Sequence, residues 1–92
     1  MEIRFFYKPG CPYCRRAEKL IGELVRENPQ FAGVSLERID ETKERALADQ
    51  YDYWYVPSFF AGEQKLYEAS PIESEAVMKT KLEQVFRKAL AQ

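Results

Sequence analysis

The chain has 92 residues, of which 46% are apolar, including six Phe, six Tyr and one Trp. That supports one small domain over residues 1–92 with a modest core. Fourteen basic and fifteen acidic residues leave a formal net charge of −1. No face or tail is strongly basic, which argues against a nucleic-acid partner, and no apolar run approaches the roughly 20 residues of a membrane helix.

Residues 2–7 read as a strand, and their dense apolar character predicts a central one covered on both faces. Cys14, Ala17, Leu20, Ile21, Leu24 and Val25 recur at helical spacing from about 12 to 28, with Arg15, Arg16, Glu18, Lys19 and Glu23 on the other face. Asn28-Pro29 ends that helix. Val34 to Ile39 reads as an edge strand, because Glu37 and Arg38 interrupt its apolar content. A short helix is expected from Glu41 to about Tyr51, with Asp40 as its cap.

Val56 to Ala61 reads as a strand led by a proline, Gly62-Glu63 as a tight turn, and Gln64 to Glu68 as the returning strand. Ser70-Pro71-Ile72-Glu73 has the form of a helix start, with Ser at the cap and Glu three residues on. Met78, Leu82, Val85, Phe86 and Ala89 then carry a helical stripe toward the C-terminus. The order is β-α-β-α-β-β-α. It predicts an α/β fold with a four-stranded mixed sheet, spatial order 2-1-3-4, and helices on both faces.

The chemistry concentrates at Cys11-Pro12-Tyr13-Cys14, which holds both cysteines of the chain. A strand feeding a Cys-x-x-Cys at a helix start is the layout of a thiol–disulfide exchange site. Free N–H groups at a helix start favour negative charge, and a thiolate carries it. Cys11, at the helix start, is the expected nucleophile, and Cys14, one turn in on the apolar stripe, the expected resolving thiol. Pro12 suits an early helical position that needs no N–H.

Three other readings fit less well. A structural zinc site wants four Cys or His ligands, and the chain has two cysteines and no histidine; no metal is expected. A disulfide across two residues closes too small a loop to act as a staple. Buried apolar cysteines would not follow a Lys8-Pro9-Gly10 turn, since turns lie at the surface. Two cysteines in a chain with no leader pattern before Ile3 point to a reducing, cytoplasmic setting.

Phe5-Phe6-Tyr7-Lys8-Pro9-Gly10-Cys11-Pro12-Tyr13-Cys14, with Tyr55-Val56-Pro57-Ser58 and Gly62 downstream, resembles the glutaredoxins of the thioredoxin superfamily. The resemblance covers nearly the whole chain. It implies a thioredoxin-like fold, a nucleophilic Cys11 and a cis Pro57 facing the cysteines, with Val56 offering backbone groups to substrate. It further implies that Lys8 meets the glycine carboxylate of glutathione, and that Tyr13 and Val56 line the glutathione groove beside Tyr55. The implied activity is reduction of protein disulfides or glutathione mixed disulfides by a monomer without a tightly bound cofactor. Glutathione or a flavin-dependent reductase would be the electron donor. The alternative within the same resemblance is an iron–sulfur cluster held between two copies through Cys11 and glutathione thiols.

Departures from the family pattern are concentrated after the last hairpin. Lys65-Leu66-Tyr67-Glu68-Ala69-Ser70 stands where glutaredoxins carry Gly-Gly and then Asp for the γ-glutamyl end of glutathione. Leu66 and Tyr67 are bulky there, and Glu68 and Glu73 would repel a carboxylate if they faced the groove. Weak use of glutathione is therefore expected. Asp52 is expected to take a left-handed turn conformation. The aromatics Tyr51, Tyr53, Trp54 and Tyr55 are read first as core and rim packing, and second as a binding rim for a protein substrate.

Overall fold

The computed structural model describes residues 2–91. Strand β1 (Glu2–Tyr7) leads into helix α1 (Pro12–Glu27), a short 3-10 helix (Pro29–Gly33), strand β2 (Ser35–Asp40), helix α2 (Arg45–Ala48), strands β3 (Ser58–Ala61) and β4 (Gln64–Glu68), and helix α3 (Glu75–Leu90). The sheet order is β2-β1-β3-β4. β1 is parallel to β2 and antiparallel to β3, which is antiparallel to β4. This is the architecture expected from the sequence, with β1 central and β2 at an edge.

Alternation along β1 and β3 divides the core into two layers. Ile3, Phe5 and Phe59 turn to one face and pack against Ala17, Leu20 and Leu24 of α1 and Met78, Leu82 and Phe86 of α3. Phe5 and Phe59 stack with centroids 4.4 Å apart. Phe6 and Phe60 turn to the other face and meet Ile39, Ala48, Tyr51 and Tyr53. Helices thus cover both faces, α1 and α3 on one and the short α2 on the other. The 3-10 helix, which periodicity did not predict, begins at Pro29 and buries Phe31 against Phe86, ring centroids 5.0 Å apart.

Four local expectations are corrected. Helix α3 begins at Glu75, not after Ser70; its cap is Ser74, whose hydroxyl accepts the Val77 N–H at 3.2 Å. Glu73 is drawn inward instead, where its carboxylate accepts from the Tyr67 hydroxyl and from Lys81 at 2.8 Å. Helix α2 is only four residues long, because Asp40 folds back onto the Thr42 N–H and hydroxyl in a side-chain turn before a helix can start. Asp52 is not left-handed: among the described residues, only Gly10 and Gly62 have positive φ. β3 also starts at Ser58, two residues later than expected, leaving Val56 and Pro57 in the preceding loop.

Candidate active site

The turn that delivers Cys11 is set by Gly10, whose φ of 80° suits a residue without a side chain. The Cys11 N–H donates to the Lys8 carbonyl at 3.2 Å, closing the turn, and the Cys11 carbonyl accepts the Arg15 N–H at 3.1 Å, opening the helix. Cys11 is the N-cap of α1 and Pro12 its first residue. A helix leaves its first amides without intrahelical partners, but the Cys11 side chain accepts from none of them.

Cys11 is half-buried and Cys14 is 5% exposed; both are free thiols. Burial pushes the Cys14 thiol up from an ordinary 9.0 to about 12, with neighbouring Cys11 and the Glu41 carboxylate adding and the Lys8 backbone opposing. The two sulfurs therefore differ in the sense expected from the sequence: one is reachable, and the other is held protonated behind it.

The Val56–Pro57 bond is cis, as the resemblance implied. Pro57 is buried, and the Val56 carbonyl accepts the Cys11 thiol at 3.9 Å. Cys11, Cys14 and Val56 thus come together in space, with Pro57 next to Val56 in the chain. Tyr13 lies close by, but its phenol donates to the Pro71 carbonyl at 2.9 Å and its ring lies under the Arg16 guanidinium, 5.1 Å from the centroid. Arg16 also donates to the Glu73 carbonyl at 2.9 Å. These contacts tie α1 to the segment between β4 and α3.

Lys8 and exposed Arg15 flank the cysteines. With Phe5, Tyr7, Cys11 and Cys14 they line a mostly apolar pocket of about 450 Å³. Val56, Pro57, Tyr13 and Tyr55 are not part of that pocket. Lys8 thus shares a pocket with both cysteines, and Val56 reaches Cys11 through its carbonyl.

The segment that departs from the glutaredoxin pattern differs from the sequence reading. The Tyr67 side chain is buried, stacks on Phe59 with centroids 5.9 Å apart, and donates to Glu73. Glu73 does not face a groove either, since its side chain is 3% exposed and paired with Lys81. Glu68 is engaged internally: one carboxylate oxygen accepts the N–H groups of Trp54 and Tyr55, both at 2.7 Å, and the other pairs with Lys65 at 2.7 Å.

The four loop aromatics divide. Tyr51 and Tyr53 pack on Phe6, with centroids 4.8 and 5.3 Å away. Trp54 is 87% exposed and Tyr55 53%. Sequence reasoning read Glu68 only as a charge that would repel a carboxylate and missed its structural role, because the amides it binds lie 13 and 14 residues upstream in the chain. The only signal was a carboxylate at the end of a strand, opposite a loop with no regular hydrogen bonding.

No protein-family model and no curated protein matches the chain. Solved structures do. The chain is similar to thioredoxin 1 from Thermosipho africanus TCF52B, with a TM-score of 0.60 and 16% identity over 98% of this chain and 99% of that one. A malarial protein aligns with a TM-score of 0.58 and 14% identity, over 89% of this chain and 92% of that one. The first two thioredoxin domains of Saccharomyces cerevisiae Eps1p align with a TM-score of 0.56 and 12% identity, over 97% of this chain and 36% of that one. These likenesses show a thioredoxin fold.

Proposed function

We propose that the chain is a dithiol oxidoreductase of the glutaredoxin type that reduces disulfides in polypeptides or small molecules. The observation that carries this reading is a half-buried Cys11 against the Val56 carbonyl with a buried Cys14 one turn behind it. An accessible attacking sulfur, a shielded second sulfur and an adjacent backbone edge are what disulfide exchange requires.

In the first step the Cys11 thiolate attacks one sulfur of the substrate disulfide. The substrate S–S bond breaks, a mixed disulfide forms on Cys11, and the departing thiolate takes up a proton. Cys14 then loses its proton and attacks the Cys11 sulfur. The mixed disulfide breaks, the second substrate thiol leaves, and a Cys11–Cys14 disulfide remains. Two electrons have passed to the substrate. Two equivalents of a thiol such as glutathione, or a flavin-dependent reductase, return the pair to the dithiol. Such cycling belongs in a reducing compartment such as the cytoplasm.

Glutathione is a weak co-substrate in this reading. Lys8, with Arg15 nearby, offers positive charge for one of its carboxylates. On the other side, the Tyr13–Pro71 and Arg16–Glu73 contacts hold the segment before α3 against α1, and Glu68 occupies two loop amides. A tripeptide must be held at both ends for its sulfur to align with Cys11.

The test is turnover of one peptide disulfide with two donor systems in parallel: glutathione with its reductase, and a flavin-dependent thioredoxin-type reductase. At least one should sustain turnover, and Cys11→Ser should abolish it. Full activity of Cys11→Ser, or no turnover with either donor, refutes the reading.

A further inference from the structure

The end of β4 grips the loop before Pro57 at two points. The Ala69 N–H donates to the Pro57 carbonyl at 3.0 Å, and the adjacent Glu68 carboxylate accepts the Trp54 and Tyr55 N–H groups. Val56, whose carbonyl meets Cys11, lies between the two grips. Val56 also packs on the Phe6 and Phe60 layer, and Pro57 is buried. Residues 52–57 form no helix or strand, and the Trp54 and Tyr55 rings are exposed. Its flanks are fixed by the Tyr53 hydroxyl on Glu41 at 2.6 Å and the Ser58 hydroxyl on the Tyr55 carbonyl at 2.5 Å.

The Glu68 side chain is 16% exposed and its second oxygen is paired with Lys65. Two consecutive backbone N–H groups aimed at one oxygen make a receptor for a carboxylate, and this chain fills it from within. Burial opposes ionisation of Glu68, but Lys65 and the two amides outweigh it and hold the carboxyl below its ordinary range. The group is therefore a charged acceptor at neutral pH.

We propose that Glu68 is a positioning residue that selects substrate. Its carboxylate sets the loop that presents Val56 to an extended polypeptide disulfide. By occupying the Trp54 and Tyr55 amides it also denies them to a substrate carboxylate, so that neutral polypeptide disulfides are preferred over anionic small ones. The proposal rests on the oxidoreductase reading above.

Wild type, Glu68→Gln and Glu68→Ala are compared on a neutral, end-blocked peptide disulfide and on glutathione disulfide. Glu68→Ala should raise KM for the neutral peptide about tenfold while kcat falls less than about threefold, as expected for lost charge-assisted hydrogen bonds that orient rather than react. Glu68→Gln, which keeps an oxygen acceptor, should fall between. In Glu68→Ala the emptied amides beside Lys65 should accept an external anion. KM for glutathione disulfide should then fall, and sodium acetate, but not sodium chloride at equal ionic strength, should lower KM for the neutral peptide.

Hydrogen exchange on wild type gives a second readout that needs no variant to fold. The Trp54 and Tyr55 amides should exchange at least about a hundredfold more slowly than in an unstructured loop. Unprotected amides overturn the proposal. So does a folded Glu68→Ala protein with wild-type KM on both substrates, or one whose kcat and KM change only in step with lost thermal stability. Wild type that turns over neither substrate refutes the oxidoreductase reading, and this proposal with it. Turnover with unprotected amides refutes this proposal alone.

Discussion

The buried thiol of Cys14 makes the second step of the cycle pH-dependent. Burial is the largest cause that lifts it from 9.0 to about 12, three pH units, or about 4 kcal/mol against forming the thiolate. At pH 7 a thiol of that kind is ionised in roughly one molecule in 10⁵. Once Cys11 is in a mixed disulfide its own contribution to the shift disappears, whereas the burial of Cys14 remains. Release of the second thiol should therefore accelerate about tenfold per pH unit from pH 7 to pH 9. The assay is stopped-flow mixing of the reduced protein with a peptide disulfide whose two thiols carry different chromophores. The first released thiol reports attack by Cys11 and the second reports attack by Cys14. Cys14→Ser should keep the first phase and lose the second. A second phase that is flat between pH 7 and pH 9 would refute the reasoning that burial of Cys14 limits this step.

The same linkage predicts that the reduced protein loses stability as pH rises from about 9 toward 12, because unfolding lets Cys14 ionise at its ordinary value; pH-dependent denaturant melts of wild type and Cys14→Ser should diverge there. At acid pH the sign is opposite. Burial of Glu73 works against its ionisation, but Lys81 and Tyr67 prevail and hold its carboxyl below the ordinary 4.5. Its contribution is complete above that value and lost as pH falls below it, so Glu73→Gln should be less stable than wild type at pH 7 and converge with it in acid melts. Phe59→Ala should cost about 3–5 kcal/mol, because Phe59 is fully buried between Phe5 and Tyr67; thermal unfolding should shift down by about 15 °C or more. Lys8→Ala should reduce glutathione-dependent turnover about tenfold through loss of one charge-assisted contact, with little change when a flavin-dependent reductase is the donor.

Much of the architecture was legible because its signals are local. A dense apolar run places β1, period-3.6 apolar patterns place α1 and α3, and the Gly62 turn places the last hairpin. Cys11-Pro12-Tyr13-Cys14 marked the helix start, with Pro12 at its first position. The misplacements occur where tertiary contacts overrule a local motif. Ser70-Pro71-Ile72-Glu73 has the form of a capping box, but the pull of Tyr67 and Lys81 on Glu73 moves the cap to Ser74. Tyr51 and Tyr53 could not be separated from Trp54 and Tyr55 by sequence, because only the positions of Phe6 and Phe60 decide which rings are buried. Glu68 read as a charge that would repel a substrate carboxylate. In the fold it is an internal ligand of the loop beside the cysteines.

The central claim is that Cys11 carries the covalent intermediate and Cys14 resolves it. Cys14→Ser protein mixed with a peptide disulfide and analysed by intact-mass and peptide-mapping mass spectrometry tests this most directly. One peptide should be bound per protein, joined to Cys11, and an added thiol should release it. No adduct on Cys14→Ser, or an equally rapid adduct on Cys14 in Cys11→Ser, would contradict the account.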